Sequence, residues 1–452
     1  MATLSQDLVE WAWSLRAPAI DPSVRQAVCD HTLDGLGTAL AASRLRQAPQ
    51  AETLAARLGG PDEASIVGGG RTGASVAALA NGILIHALDF DDTHPGALVH
   101  PTAVVIPAAL ALGEKERVSG QDIIAAAAAG FETVIRLGAA VRHGFHARGF
   151  HATSVCGVFS SALVAARLMG LSQAQAVNTL GIAGSFASGS LEFLSDGSST
   201  KQLHPGWASH GGIVAAYLAA EGASGPASIL EGDAGIFQLY AASKVQASAI
   251  TMGLGSTWHL SETIIKPYPI CQLSHASIDA LKRLRPQVVD LASIQQITFD
   301  VPSESVPIVC DPIEVKLHPR TPYEAKFSLQ WCAAALLVQG ALGVGTFEPA
   351  NLSRSEILEL AAKVRYRAYD PGVAAASAPG RVEIEIGGHT LRAEVPCSEG
   401  VGAAEIDQKL ALNLGDSARA GELAGLVRSL ERQPTLDDLA TCLRRAPERV
   451  TT

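Results

Sequence analysis

The densest group of chemically versatile side chains lies between residues 81 and 105, where the chain reads NGILIHALDFDDTHPGALVHPTAVV. Three carboxylates, two imidazoles and a hydroxyl fall between two apolar segments: Asp89, Asp91, Asp92, His94, His100 and Thr93. Such donors could bind a divalent metal ion, or could act as a general acid, a general base and the group that orients them. They could also be structural, with Asp91 or Asp92 capping the turn toward Pro95.

Histidines are concentrated in the same part of the chain. Eight of the 13 lie between residues 86 and 210, little more than a quarter of the sequence. One of them, His151, stands in GFHATSVCGVF just before a predicted helix. The positive end of a helix disfavours an imidazolium ion, so we expect a lowered pKa for His151. Alternatively, the His151 ring is structural and only forms a hydrogen bond with the backbone near the N-cap.

Two further segments carry cations beside small or proline-rich stretches. Lys201 lies in EFLSDGSSTKQLHPGWASHGG, which predicts a Gly-Ser-rich loop before a helix over 207–221. An ammonium group there could hold a carboxylate, although a loop lysine is usually just solvated. Lys266 and His275 lie in KPYPICQLSHAS, a proline-punctuated linker.

Helical patterns dominate the first 265 residues, and they would position these groups. Apolar residues recur there at spacings of three and four, and N-terminal signals precede the apolar runs. The predicted helix starts are Asp21-Pro22, Pro101, Thr153 or Ser154, the Ser172–Gln175 capping box, and Trp207.

The pattern changes after residue 265. A strand is predicted over 293–301, and a hairpin over 381–395 around Gly387-Gly388. Helices are predicted after capping boxes at Thr321 and Ser353. We therefore predict a mostly α protein with a large helical domain, 1–265 and 403–452, and a smaller α/β domain, 266–402.

Composition excludes several classes of protein. The net charge is −10 without a basic cluster, which argues against nucleic acid as a partner. The most apolar stretch, 122–141, contains Glu132 and Arg136, which argues against a membrane span. Seven scattered cysteines without a CxxC pair indicate reduced thiols and favour a cytoplasmic location.

Seven segments, in order, resemble the MmgE/PrpD family, which includes 2-methylcitrate dehydratase, cis-aconitate decarboxylase and iminodisuccinate epimerase. The resemblance covers nearly the whole chain. It implies a large helical domain with an α/β lid, a homodimer, and catalysis without metal or organic cofactor. The segments are NGILIHALDFDDTH, HPTAVVIPAALALGE, FHATSVCGVF, LGIAGSFASG, STKQLHPGWASHGG, KPYPICQLSHA and PYEAKFSLQW.

The resemblance also assigns residues by matching motifs. It implies that the catalytic residues are Asp89, His100, His151 and Lys201, and that Thr93 and His275 belong to the site. We predict that the substrate-binding residues are these two together with Ser199, Thr200 and Lys266, which lie in the matching segments. We expect His100 and His151 to transfer protons. Asp89 would orient one of the two imidazoles.

The chemistry shared by the family is proton movement at a carbon next to a carboxylate, with Lys201 stabilising the developing charge. We therefore expect a lyase, a dehydratase or decarboxylase, acting on a small di- or tricarboxylate such as methylcitrate or cis-aconitate. The DFDDT segment looks more like the decarboxylase and epimerase branch than the methylcitrate dehydratases. The alternatives are an epimerase of a dicarboxylate such as iminodisuccinate and a non-catalytic binding protein of the same fold.

Overall fold

Helices comprise 59% of the chain and strands 9%, so the mostly α fold is confirmed. A computed structural model describes residues 2–446 and divides into two compact units. The helical unit contains the chain up to Glu192, Thr200–Ile265 and the chain from Gly402 onward; the mixed unit contains Phe193–Ser199 and Lys266–Val401. The short segment 193–199, which we assigned to the helical domain, thus clusters with the mixed unit. Residues 1 and 447–452, the ends of the predicted helical domain, lie outside the described residues.

Twelve helices and a two-stranded ladder form the first part of the helical unit. The helices are α1 (Leu4–Ser14), α2 (Pro22–Arg44), α3 (Pro49–Leu58), α4 (Ala74–His86), α5 (Pro101–Lys115), α6 (Gly120–Ala139), α7 (Gly144–Ala147), α8 (Ala152–Leu168), α9 (Gln173–Ala183), α10 (Thr200–Ala220), α11 (Ile236–Ala241) and α12 (Ser248–Thr251). The strands are β1 (Ala64–Ser65) and β2 (Arg71–Thr72), which pair antiparallel.

Local capping signals predict several of these helix starts correctly. Asp21 accepts a hydrogen bond from the Ser23 N–H, with Pro22 at the first helical position of α2. Ser172 and Gln175 form the expected capping box at α9. Pro101 opens α5, as predicted.

Two predicted helix starts in the helical unit are wrong, and both errors concern candidate site residues. The N-cap of α8 is His151 rather than Thr153 or Ser154. Helix α10 begins at Thr200 rather than at 207, so Lys201 lies in its first turn and not in a loop. Pro205 stands inside α10. A proline normally marks the first turn or the end of a helix, so this one concealed the true start.

Helices α4 and α10 approach each other closely because two glycines meet at their crossing. A Cβ atom on Gly82 would lie 2.6 Å from Gly206 Cα, and one on Gly206 would lie 2.3 Å from the Leu79 carbonyl oxygen. Real Cβ atoms do not tolerate such distances. The glycine pair therefore fixes the end of α4, with His86, against the first turns of α10.

The mixed unit contains a four-stranded sheet and seven helices. Its elements are α13 (His275–Leu284), β3 (Ile294–Pro302), α14 (Val306–Val309), α15 (Ile313–Leu317), α16 (Pro322–Ala325), α17 (Leu329–Gln339), α18 (Pro349–Leu352), α19 (Ser355–Ala361), β4 (Val364–Tyr369), β5 (Gly380–Ile386) and β6 (His389–Val395). The strand order is β4-β3-β5-β6, with β3 and β4 parallel and the other neighbours antiparallel.

Predictions in the mixed unit succeed where the signal is local. The predicted hairpin is found, and it turns at Gly387 and Gly388, which both have positive φ. Strand β3 lies within one residue of its predicted bounds. The helix predicted from Thr321 ends at Ala325, because Ser328 caps a new helix by accepting from the Trp331 N–H. The capping box at Ser353 is wrong, since α19 follows Arg354 with no side-chain cap.

The chain returns to the helical unit through three C-terminal helices, α20 (Ala403–Leu414), α21 (Ser417–Arg428) and α22 (Asp437–Arg444). The Gly68 N–H donates to the Leu443 carbonyl oxygen at 2.8 Å, which ties α22 to the N-terminal region. All seven cysteines are free thiols, and six of them are buried. Every helix among residues 2–446 is too short or too polar to span a bilayer.

Candidate active site

The loop of residues 87–100 connects α4 to α5 and carries the aspartates; we call it the aspartate loop. Its first turn is closed by the Asp89 N–H, which donates to the His86 carbonyl oxygen at 3.1 Å. Asp89 has a φ of 52°, a left-handed conformation that aspartate tolerates better than most residues. Thr93 then pairs with Ile264 through two backbone hydrogen bonds. The loop is therefore held at both its bend and its middle.

Two of the loop carboxylates pair with groups on neighbouring helices. His86 Nδ1 lies 2.8 Å from Asp91 Oδ2, and both side chains are fully buried. Lys201 Nζ donates to Asp89 Oδ1 at 2.9 Å, again in a buried setting. The expectation that Asp89 orients His100 or His151 stays a prediction. Its Oδ1 accepts from the ammonium group of α10, and Asp91 Oδ2 pairs with the imidazole of His86.

His100 is fixed at the end of the aspartate loop by contacts that define its tautomer. Its Nδ1 lies 2.8 Å from the Asp92 carbonyl oxygen and 3.0 Å from Thr93 Oγ1. Since a carbonyl oxygen only accepts, Nδ1 carries the proton and Nε2 of the neutral ring is unprotonated. Its backbone N–H donates to Thr153 Oγ1 at 3.1 Å, which links the loop to α8.

His151 lies at the centre of a cluster of histidine rings. Its ring centroid is 5.8 Å from that of His86, 5.9 Å from that of His100 and 5.3 Å from that of His204. Its Nδ1 lies 3.1 Å from Nδ1 of His204. The structure thus brings together His100, His151, Lys201 and Asp89, the four catalytic residues implied by the resemblance, within one part of the helical unit.

The cluster disfavours positive charge on its rings. Burial, together with His204, Lys201, His86 and His100, holds the pKa of His151 well below its ordinary value. The expected direction is confirmed, but burial is the main cause rather than the helix N-terminus. Burial also lowers the pKa of His204 to about 4. Both rings are therefore neutral at pH 7.

A second layer of polar contacts supports the aspartate loop from behind. Asp92 Oδ1 accepts from the Thr102 N–H at 3.1 Å and Oδ2 accepts from Thr102 Oγ1 at 2.7 Å; His31 Nδ1 lies 2.8 Å from the same Oδ2. Asp92 therefore caps α5 rather than the turn toward Pro95. Lys409 of α20 donates to the Phe90 carbonyl oxygen at 2.9 Å and pairs with Asp34 at 2.7 Å.

The cluster also contains groups with the chemistry of metal ligands. Within residues 2–446, His86, His100 and His151 form one set, and His86, Asp89, Asp91 and His100 form another; in each set one ligand atom per residue lies within 4.8 Å of the others. Several of these atoms already have partners, such as Lys201 on Asp89 and His204 on His151. A dication bound to Asp89 would lie beside the Lys201 ammonium group and be repelled by it.

The expected substrate-binding residues lie in both units. Thr93 is buried beside His100, whereas Thr200 is exposed at the start of α10. In the mixed unit, Lys266 is fully buried and Ser199 is exposed. Nε2 of His275 donates to the Ile270 carbonyl oxygen at 3.1 Å. Their contacts with a substrate stay a prediction.

Sequence reasoning did not pair Asp91 with His86 and did not assign His204 a place in the site. His86 ends α4, Asp91 follows five residues later, and only the left-handed turn at Asp89 brings the two side chains together. His204 lies one helical turn after Lys201. The sequence did not place the two residues on one helix, because the helix was predicted to begin at 207 and α10 begins at Thr200. The i, i+3 spacing of Lys201 and His204 was the available signal.

Comparison with known proteins identifies the family to which this sequence is similar. A model described as MmgE/PrpD N-terminal domain matches residues 6–248, and one described as MmgE/PrpD C-terminal domain matches residues 268–422. A protein named cis-aconitate decarboxylase from Aspergillus terreus is 27% identical, over 97% of this chain and 96% of its own length. Proteins of the same name from Homo sapiens and Mus musculus are 33% and 30% identical, each over 64% of this chain and 60% of their own lengths.

Proposed function

The chain belongs to the MmgE/PrpD family, and from this premise we propose that it decarboxylates cis-aconitate or a closely related unsaturated tricarboxylate. Family membership and the decarboxylase relatives already make it an enzyme of the lyase kind. The choice of decarboxylation rests on those relatives and on the DFDDT segment, which resembles the decarboxylase and epimerase branch more than the methylcitrate dehydratases.

The reaction breaks one carbon–carbon bond and forms one carbon–hydrogen bond. As carbon dioxide leaves, the electron pair of the broken bond flows through the adjacent double bond toward a remaining carboxylate. The new carbanion then takes up one proton. Each turnover therefore consumes one proton, and the enzyme must both stabilise an enolate-like anion and deliver a proton to carbon.

The observation that carries the proposal is the cluster of histidines, with His151 and His204 neutral at pH 7, beside a buried ammonium group. Lys201 supplies the positive charge that the anion requires, and Asp89 holds its Nζ in place at 2.9 Å. His151 delivers the proton to carbon, since its ring is neutral and central to the cluster. His100, with Nδ1 donating to the Asp92 carbonyl oxygen, lies beside His151 and is the second proton-transfer residue that the family resemblance implies.

We infer that no metal ion takes part. The charge that a Lewis acid would supply is already provided by Lys201, whose ammonium group donates to Asp89 Oδ1 and would repel a dication bound to that carboxylate. His86 and Asp91 likewise bind each other at 2.8 Å. Thr93, Lys266, His275, Ser199 and Thr200 are proposed to hold the substrate carboxylates.

The proposal is tested by incubating the purified protein with cis-aconitate, methylcitrate and iminodisuccinate in deuterated water and following each by NMR. We expect cis-aconitate alone to lose carbon dioxide and to give an unsaturated dicarboxylate with one deuterium on carbon. Deuterium wash-in with inversion of iminodisuccinate would instead identify an epimerase. Water loss from methylcitrate would identify a dehydratase, and no reaction with any of the three would favour a binding protein.

A further inference from the structure

The contact between His151 and His204 has a chemical consequence of its own. Nδ1 of one ring lies 3.1 Å from Nδ1 of the other, at hydrogen-bond distance between two nitrogens of the same type. We propose that His204 is a positioning and proton-relay residue that acts through His151: it passes a proton to Nδ1 of His151 as Nε2 of His151 protonates the substrate. This inference rests on the proposed decarboxylation and names the group that keeps its acid neutral during the proton transfer.

The two rings must adopt complementary tautomers. A hydrogen bond between two Nδ1 atoms requires that one carries a proton and the other does not. If His204 donates, His151 carries its proton on Nε2 and is an acid at that atom. If His151 donates, its Nε2 is unprotonated and is a base. The tautomer of His204 therefore decides whether His151 gives or takes a proton.

The relay balances the proton that each decarboxylation consumes. In the loaded state His204 holds its proton on Nδ1 and His151 on Nε2. Nε2 of His151 protonates the substrate carbon, Nδ1 of His151 takes the proton of His204, and Nε2 of His204 takes a proton from water. After the product leaves, Nε2 of His151 takes a proton from water and the same shifts run in reverse. His204 then releases its Nε2 proton, and the loaded state returns.

The surroundings hold the pair in the required geometry. The backbone N–H of His151 donates to the Gly189 carbonyl oxygen at 2.8 Å, and this bond fixes the N-cap of α8. His204 lies on α10 one turn after Lys201, the residue we assign to charge stabilisation. His204 retains 8% exposure and His151 only 2%, so His204 is the member with more access to water.

The charged and titratable groups around His151 favour a neutral pair. The rings of His86, His100 and His146 face it from α4, from the N-cap of α5 and from α7, and Lys201 faces it from α10. Asp91 and Asp89 reach this group through His86 and Lys201. Burial lowers the pKa of both His151 and His204, so one shared proton, and not an imidazolium ion, occupies the contact near pH 7.

The test compares His204→Asn, His204→Ala and the control His210→Asn in the full chain. The asparagine amide can occupy the position of Nδ1 but cannot pass a proton on. His210 lies on the same helix and contacts the Ser75 carbonyl oxygen at 3.0 Å, away from the cluster. For His204→Asn on cis-aconitate we expect kcat to fall by about tenfold or more, at the lower end of acid–base contributions, with KM near the wild-type value. Imidazole added to His204→Ala should restore part of kcat, whereas His210→Asn should match the wild type.

Wild-type kcat in His204→Asn would overturn the relay while leaving the decarboxylase proposal intact. So would a folded His204→Ala protein that imidazole does not rescue. Absence of wild-type turnover with cis-aconitate would instead overturn the decarboxylase proposal. The relay is then judged by the ¹⁵N spectrum of histidine-labelled wild-type protein, where we expect one Nδ1 of the pair to be protonated and the other not. Two protonated or two unprotonated Nδ1 atoms would contradict it.

Discussion

At the scale of single residues, the polar side chains of the site are joined in two buried pairs, one of which holds the ammonium group of Lys201. Lys201 and Asp89 form one pair and His86 and Asp91 the other. A buried ion pair is costly to break, because the remaining charge loses its partner without gaining water. The pair formed by Lys201 and Asp89 therefore serves both folding and chemistry, and the two roles can be separated.

Lys201→Met should lower both activity and stability. We expect kcat/KM to fall more than about a hundredfold, since one preorganised charge contact to an oxyanion is worth about 3 kcal/mol. The free energy of unfolding should fall by about 3 kcal/mol, because the Asp89 carboxylate stays buried without its cation. The double variant Lys201→Met/Asp89→Asn should recover stability but not activity. Recovery of both would mean that Lys201 only neutralises Asp89.

Metal independence is also decided by individual side chains. Lys201 donates a hydrogen bond to Asp89 Oδ1, and His86 Nδ1 pairs with Asp91 Oδ2. Because these carboxylates already have partners, we expect dialysis against EDTA to leave activity and melting temperature unchanged. Elemental analysis should find no stoichiometric metal. If activity is lost to the chelator and returns with Mg²⁺, Mn²⁺ or Zn²⁺, the cluster is a metal centre, and Lys201 must leave Asp89 when the ion binds.

At the scale of elements, packing between helices places the side chains that perform the chemistry. The crossing of α4 and α10 depends on Gly82 and Gly206, and the aspartate loop depends on α20. Local signals such as Asp21-Pro22 and Gly387-Gly388 predicted their elements because each acts within a few residues. The contact of Phe90 with Lys409 joins residues 319 apart and leaves no local trace in the sequence.

Gly206→Ala should separate α4 from α10. The added methyl group would meet the Leu79 carbonyl oxygen at 2.3 Å, so the helices must shift. We expect the free energy of unfolding to fall by about 1–3 kcal/mol, as for other overpacked interiors, and kcat to fall because His86 moves relative to Lys201. Gly421→Ala is the matched control, since its Cβ meets open space on exposed α21, and it should stabilise by about 0.5–1 kcal/mol. Equal urea midpoints for the two variants would contradict this packing argument.

Lys409→Met should disturb the aspartate loop from the C-terminal side. It removes the donor to the Phe90 carbonyl oxygen and leaves Asp34 buried without its cation. Burial raises the pKa of Asp34, so this carboxyl group takes up a proton readily once the lysine is lost. The variant Lys409→Met/Asp34→Asn should therefore fold nearly as well as the wild type yet keep a reduced kcat. Wild-type kcat in that variant would show that the loop does not need Lys409.

At the scale of the whole molecule, buried neutral histidines make stability depend on pH. Burial lowers the pKa of His94 and of His204 to about 4 and holds that of His151 well below its ordinary value. The unfolded chain binds these protons below its ordinary histidine pKa, near 6.5, while the folded chain does not. The stability they contribute is fully present above that pKa and is lost as the pH falls through about 6 toward 4. The homodimer implied by the family resemblance stays a prediction for sedimentation to test.

We therefore expect the melting temperature to fall between pH 7 and pH 5. Each such histidine should contribute up to about 1.4 kcal/mol per pH unit to the slope of unfolding free energy. His94→Asn retains an acceptor for the Ala97 N–H, which His94 Nδ1 binds at 3.1 Å, but removes one titrating ring. Urea titrations at pH 5 and pH 6 should show a slope smaller by about that amount. An unchanged slope would mean that His94 titrates normally in the folded protein.

The return of the tail to the helical unit has a consequence for how the protein is made. Phe90 and Lys409 are 319 residues apart, so the ribosome completes the aspartate loop long before it supplies the lysine that holds it. At about 5–20 residues per second, this interval lasts on the order of half a minute. During that time Asp34 also lacks its cation, because it pairs with the same lysine. The aspartate loop of a nascent chain therefore lacks this support until α20 emerges, so we expect the chain to be inactive until then. We expect chaperones to bind it mainly during this interval.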